Sequence, residues 1–193
     1  PAPQATVSNA TSATPTQSED KFSKISPIIF QNEGGYVNDP NDAGGATNKG
    51  IAWKTWQKYA KEDLGVEPTL DNLKNLTNEQ AETIYRKRYW EPSGFNNLND
   101  PKLALMSYDW TITSGGAGKQ IQKLLNNEFG QQLIADGKIG PKTIDAMNSV
   151  SDSAKLTSRI ADIRKEYYEN LTYHTGTDSS ENSKYLQFKS EHW

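Results

Sequence analysis

Residues 33–51 read EGGYVNDPNDAGGATNKGI, and this stretch interrupts a chain that otherwise shows helical patterning. Upstream of it, apolar residues recur at helical spacing, namely Phe22, Ile25, Ile28 and Ile29. Ser26 and Pro27 are typical of a helix cap and a first helical position, and Gly34 and Gly35 predict the end of that helix. The density of Gly, Asn, Asp and Pro that follows predicts turns around a small hairpin.

Glu33 therefore lies at the carboxyl end of the predicted first helix. There the negative end of the helix dipole, and any apolar wall beside it, would raise the pKa of a carboxyl group. A raised pKa suits a general acid, and glycines next in the chain would let a bulky polymer approach the backbone. Asp39, Asp42 and Thr47 follow within the turns. A helix-end acid with a second carboxylate and a hydroxyl nearby fits cleavage of a glycosidic bond.

Other interpretations of the same residues are simpler. A glutamate before two glycines is usually solvated and without a role, and Asp and Asn also form turns by bonding to their own backbone. A calcium loop is disfavoured, because the alternating ligand pattern and the distal glutamate of an EF-hand are missing.

Composition excludes several classes of chemistry. The 193 residues contain no Cys and only two His, and 21 Lys+Arg face 24 Asp+Glu, for a net charge of -3. Thiolate chemistry and disulfides are excluded, a histidine metal site is not expected, and the charge does not favour nucleic acid binding. No apolar run reaches the roughly 20 residues of a membrane helix. We expect no metal and no cofactor, so the chemistry falls to carboxylates, hydroxyls, amides and aromatic rings.

The remainder of the chain predicts helices with recognisable ends. One runs from Trp53 to a stop at Gly65, and a capping box at residues 77–80 opens another that closes before Pro92. Asp100 and Pro101 start the next, and later helices follow the Gly115 break and the 139–141 turn. These patterns predict a mainly α body with a small hairpin. Residues 1–18 carry no charge, no aromatic ring and no large aliphatic side chain except Val7, so residues 1–20 are predicted to be a disordered tail or linker.

The run at residues 33–51 resembles the signature of glycoside hydrolase family 108, which are peptidoglycan N-acetylmuramidases with a lysozyme-like fold. The resemblance implies that Glu33 is the catalytic acid. The spacing from Glu33 to Asp42 is also similar to the Glu-x8-Asp-x5-Thr pattern of phage-type lysozymes, except that Thr47 comes one residue early. Whether Asp39 or Asp42 assists Glu33, and whether Thr47 is the matching threonine, stays open.

The resemblance continues through the rest of the chain. Residues 107–115, SYDWTITSG, resemble the family's second motif, the far wall of the cleft, where Asp109 and Trp110 would be wall or substrate contacts. Residues 135–143 resemble a turn of small peptidoglycan-binding units, although such a turn also simply joins two helices. The candidate substrate-binding residues are Tyr36, Asn48, Trp53, Asp109 and Trp110.

The resemblance implies a lysozyme-like catalytic lobe over residues 21–115 and a helical peptidoglycan-binding-like unit over residues 116–193. The implied activity is hydrolysis of β-1,4 bonds in bacterial cell wall, with glycan strands as the partner and a periplasmic or extracellular site of action. The alternatives are a lytic transglycosylase, a catalytically silent wall-binding or virion structural module, and, more weakly, a chitin-type hydrolase. An upstream domain or a virion partner would be what holds the tail. Because the pI is about 5.5, attraction to the wall would be local, through Lys119, Lys123, Lys138 and Lys142.

Overall fold

The structure is a computed structural model that describes residues 20–32, 34–38 and 45–175. Within these residues the chain is mainly helical with one small antiparallel hairpin, which confirms the predicted fold class. Its elements are, in order, α1 Lys21–Asn32, β1 Thr47–Asn48, β2 Ile51–Ala52, α2 Trp53–Leu64, α3 Leu70–Lys74, α4 Asn78–Tyr85, a π-helical segment Arg86–Trp90, α5 Glu91–Ser93, a 3-10 turn Phe95–Asn97, α6 Pro101–Thr113, α7 Ala117–Glu128, α8 Pro141–Asn148 and α9 Ser153–Thr175. The predicted tail lies outside the described residues except for Asp20.

The first helix begins earlier than the sequence predicts. Pro27 lies inside α1 and does not open it. The missing hydrogen bond of an internal proline costs roughly 3 kcal/mol, but the helix extends to Lys21 because Phe22 and Ile25 are buried in the core. Asp20 precedes this start, and the Arg86 guanidinium, 2.6 Å away, holds the pKa of its carboxyl below the usual range. Burial in the core thus outweighs the local proline signal.

The capping box at Thr77 is confirmed, but the helix that it opens does not close before Pro92. The Thr77 hydroxyl accepts from the Gln80 amide at 3.2 Å, and the Gln80 side chain accepts from the Thr77 amide at 3.1 Å. The chain continues through the π-helical segment into α5, whose first turn contains Pro92. A proline is tolerated in a first turn, because the amide there needs no helical partner.

Helix α6 is the centre of the fold. It packs against α1, α7 and α9, and its start at Asp100 is as predicted, with the Asp100 carboxylate accepting from the Lys102 amide at 2.8 Å. Tyr108, on α6, meets the rings of Phe22, Trp90 and Phe95 with centroids 5.1–6.1 Å apart. Because α6 is enclosed from several sides, the core is continuous from the first helix to the last.

Candidate active-site cleft

A cleft of about 300 Å³ lies between the hairpin, the end of α6 and the long helix α9. The described residues that line it are Gly34, Gly35, Val37, Thr47, Gly50, Tyr85, Ile112, Thr113, Arg164 and Tyr168. Glu33 is the residue before Gly34 in the chain, but it lies outside the described residues, as do Asp39 and Asp42. Gly34, which lines the cleft, is therefore the neighbour in the sequence of the predicted acid.

Two backbone hydrogen bonds join Val37 and Thr47, which stand in the sequence on either side of the predicted aspartates. The Val37 amide donates to the Thr47 carbonyl, and the Thr47 amide donates to the Val37 carbonyl, each at 2.8 Å. Val37 and Thr47 are thus fixed to each other, and both line the cleft. Thr47, a predicted site residue, lines the cleft at this point.

The hairpin is anchored from below by Asn48. Its turn is of the tight two-residue kind, because Lys49 and Gly50 both have positive φ, at 50° and 74°. The buried Asn48 side chain donates to the carbonyls of Leu73 and Lys74 at 2.8 and 3.0 Å. These two bonds satisfy carbonyl groups at the carboxyl end of α3. Asn48 therefore fixes the hairpin to α3 and is not among the described residues that line the cleft. The Tyr85 hydroxyl adds a second anchor by donating to the Lys49 carbonyl at 3.0 Å.

The opposite wall of the cleft contains a buried ion pair. Arg164 of α9 donates to the Asp109 carboxylate of α6 at 2.6 Å, and the two side chains are only 3% and 9% exposed. Removing one partner of such a pair costs roughly 3–5 kcal/mol, because the other charge stays buried. Asp109 is predicted as a wall or substrate contact, and its carboxylate accepts this hydrogen bond from Arg164. The pair fixes α9 against α6.

Two hydroxyl groups complete that wall. The Thr113 hydroxyl donates to the Asp109 carbonyl at 2.9 Å and lies 3.2 Å from the Tyr168 hydroxyl. Arg164 also reaches Thr113 at 3.4 Å. Thr113 and Tyr168 line the cleft, so the wall presents hydroxyl groups held by the ion pair.

Three predicted aromatic contacts are absent from the described lining of the cleft. Trp110 is fully buried and meets Tyr167 edge-to-face with centroids 5.9 Å apart, so its ring presents no surface to a sugar here. Trp53 is half-buried and packs beside the backbone of Gly45, where an added β-carbon would be 3.5 Å from the Trp53 side chain. Tyr36 packs half-buried against the core. Of the predicted residues that are described, Thr47 is thus the one in the lining.

Sequence reasoning included Thr113 in the 107–115 motif predicted as the far wall without singling it out, and it did not assign Arg164 or Tyr168 to the cleft. The sequence does contain a signal for Arg164, because it lies four residues from both Ile160 and Tyr168 and so shares their buried face of the helix. A charge on a buried face requires a partner. Its partner is separated from it by 55 residues, which the pattern alone does not reveal.

Two regions of the chain match known protein families. Residues 26–115 match the family model described as Glycosyl hydrolase 108, and residues 117–187 match the model described as Predicted Peptidoglycan domain. The chain is therefore similar to a family 108 glycosyl hydrolase over its first matched region and to a peptidoglycan domain over its second. These matches confirm the resemblance found in the sequence and support a peptidoglycan hydrolase.

A solved structure supports the same fold. The chain is similar to the structure of Brucella abortus SagA at 28% identity, with 89% of this chain and 92% of that chain covered and a TM-score of 0.68. No curated protein matches the sequence. None of the helices in residues 20–32, 34–38 and 45–175 combines the length and apolar character needed to cross a bilayer.

The two matched regions meet in the cleft. Thr47 and Thr113 come from the family 108 region, whereas Arg164 and Tyr168 come from the peptidoglycan domain. The described lining contains hydroxyls, a guanidinium and backbone, and it contains no carboxylate. A carboxylate for acid–base chemistry would therefore come from the neighbouring segments, where Glu33, Asp39 and Asp42 stand in the sequence.

Proposed function

We propose that this protein hydrolyses the β-1,4 bond between N-acetylmuramic acid and N-acetylglucosamine in bacterial peptidoglycan, with Glu33 as the general acid. The observation that carries the proposal is the cleft, which begins at Gly34, directly after Glu33 in the chain, within the region that matches family 108. No residue of the described lining competes with Glu33 for the role of carboxylic proton donor, since none of them is a carboxylate.

The glycines beside Glu33 suit a polymeric substrate. A side chain built on Gly34 or Gly35 would meet no atom within 4 Å, so the space above this backbone is open. Both glycines line the cleft. A glycan strand can therefore approach the backbone closely at the two glycines that follow the proposed acid, Glu33, in the sequence.

In the proposed reaction, Glu33 gives its proton to the oxygen of the breaking glycosidic bond. Asp42 or Asp39 then assists a water molecule or stabilises the developing positive charge on the sugar, and Thr47 orients that water. The water oxygen becomes bonded to the anomeric carbon, and its proton returns to a carboxylate. Whether the configuration is inverted or retained depends on the separation of the two carboxyl groups.

Mass spectrometry of digested purified peptidoglycan tests the proposal directly. Hydrolysis adds one water to each new end, so we expect reducing muropeptides. Products that lack this water and end in a 1,6-anhydro sugar would instead identify a lytic transglycosylase. Intact wall that binds the protein without any release would identify a silent binding module. NMR of the first-formed anomer then separates inversion from retention.

The proposal also concerns where the protein acts. Peptidoglycan lies outside the cytoplasmic membrane, so we propose a periplasmic or extracellular site of action, reached by secretion or from a virion. Fractionation of producing cells, with activity assayed in each fraction, tests this part separately.

A further inference from the structure

A second cavity, of about 590 Å³, lies within the region that matches the peptidoglycan domain, between α7, the segment that follows it and the start of α8. We call it the loop pocket, and its lining includes Leu133, Ile134, Asp136, Lys138, Lys142 and Thr143. These residues belong to the irregular segment between α7 and α8 and to the first turn of α8. None of them takes part in the proposed cleavage.

The loop pocket is built on a buried amide. Gln122 of α7 is 2% exposed, and its side chain donates to the Asp136 carboxylate at 3.0 Å and to the Lys138 carbonyl at 3.1 Å. Its amide oxygen accepts from the Gly137 backbone at 2.8 Å. A loop held by such a network keeps its shape without a ligand, which is the arrangement expected of a preformed binding site.

Close packing of backbone fixes the same loop. A side chain on Gly118 of α7 would come within 2.1 Å of the Gly137 carbonyl oxygen, so only glycine allows this approach. Asn126 holds the other end, because its side chain donates to the Leu133 carbonyl at 2.8 Å and accepts from the Leu133 amide at 2.7 Å. The loop is thus rigid at both ends, yet it carries an apolar side chain into solvent.

That side chain is Ile134, which is 83% exposed, the largest exposure among the described large apolar residues. Beside it the loop pocket has two exposed cations, Lys138 and Lys142, and one exposed carboxylate, Asp136. The Lys138 backbone amide and then the Gln122 amide hold the pKa of Asp136 below its usual range, so this carboxylate stays ionised. The loop pocket therefore offers charges of both signs next to apolar surface.

From this combination we infer that the loop pocket binds the stem peptide of peptidoglycan, with Lys138 and Lys142 on its carboxylates, Asp136 on the amine of its diamino acid, and Ile134 on its alanine methyl groups. The inference rests on the proposed function for the choice of polymer. The glycan strand carries no amine, and its lactyl carboxyls are uncharged amides wherever a stem peptide is attached. No aromatic ring stands among the described lining residues to stack on a sugar face. The charges thus favour the peptide over the glycan strand.

The test measures binding of a synthetic stem pentapeptide to the full chain by titration calorimetry. Removing both cations in Lys138→Ala/Lys142→Ala should weaken binding about tenfold or more, since two ion pairs are lost. Lys155→Ala removes an exposed charge from α9, outside the loop pocket, and should leave the affinity unchanged. Equal affinity of the double variant and the wild type would overturn the inference, and so would displacement of the peptide by neutral chitotetraose.

A second pair of variants tests the apolar part. Ile134→Ser should weaken peptide binding without lowering stability, because the side chain is already in solvent. Leu70→Ser changes another exposed apolar residue, 43% exposed on α3, and should leave binding unchanged. Equal weakening by both variants would overturn the assignment to the loop pocket.

The outcome is separable from that of the proposed function. Peptide binding that depends on the two lysines, in a protein that releases no saccharide from wall, would support the inference and contradict the proposed hydrolysis. Normal release of saccharide by a protein whose peptide binding ignores the lysines would do the reverse.

Discussion

The cleft wall and the loop pocket both depend on one buried polar side chain of a helix, but they use it differently. In the wall Arg164 is 2% exposed and is neutralised by a carboxylate from another helix, α6. In the loop pocket Gln122 is equally buried, but it is neutral and binds two backbone groups of the loop as well as the Asp136 carboxylate. The charged Arg164 joins two helices that are distant in the sequence, whereas the amide of Gln122 fixes a loop only about 15 residues away.

As a result, the two regions present different chemical groups to a ligand. In the wall the charged groups are occupied with each other, so hydroxyls remain at the surface of the cleft. In the loop pocket the buried amide holds the backbone, and the charged side chains Lys138 and Lys142 remain exposed. A rigid, nearly neutral wall suits a site where carboxylates do the chemistry, and exposed charges suit recognition.

The largest expected effect comes from breaking the wall. Arg164→Met leaves the Asp109 carboxylate buried without its cation and should lower the free energy of unfolding by about 3–5 kcal/mol. Arg159→Met is the matched control, because Arg159 pairs with Glu128 at 2.7 Å on the surface and should cost about 1 kcal/mol or less. Urea unfolding measures both values. Similar losses for the two arginines would contradict the role given to the buried pair.

A smaller effect is expected from the loop pocket. Gly118→Ala places a methyl group against the Gly137 carbonyl and should destabilise the protein by about 1–3 kcal/mol while displacing the loop. Gly115→Ala is the control, because a side chain there meets nothing within 4 Å. Thermal unfolding gives the stability, and amide exchange at residues 131–138 reports the loop. An unchanged exchange pattern in Gly118→Ala would show that the close approach does not hold it.

The smallest effect should come from a hydroxyl of the wall. Tyr168→Phe removes the group 3.2 Å from the Thr113 hydroxyl and should cost about 0.5–1.5 kcal/mol. Tyr89→Phe, half-buried and outside the cleft lining, is a suitable control. A loss from Tyr168→Phe as large as that from Arg164→Met would mean that the hydroxyls, and not the ion pair, hold the wall.

Local signals predicted much of the fold. The capping box at Thr77, the cap at Asp100 and the stop at Gly65 each act through backbone groups a few residues away, and the structure has all three. The turn at Asp136 and Gly137 likewise forms where the sequence placed it, with Gly137 at φ 84°. Such signals are visible because both partners lie in one short stretch.

Other features depend on partners far along the chain. Pro27 is held inside α1 by core packing, and Arg164 finds Asp109 across 55 residues. The short helix α3 has little apolar pattern of its own and is held partly by Asn48, 25 residues earlier. The same limitation applies to the site, where Arg164 and Tyr168 reach the cleft only through the packing of α9 on α6.

The central claim is that Glu33 is the proton donor of a peptidoglycan hydrolase, and release of reducing ends from purified peptidoglycan by Glu33→Gln tests it most directly. Loss of a general acid should slow release about 10²–10⁴-fold while far-UV circular dichroism and the unfolding midpoint stay unchanged. Glu166→Gln, on the exposed face of α9, removes the same charge elsewhere and should release reducing ends at the wild-type rate. Release by Glu33→Gln at the wild-type rate would contradict the account.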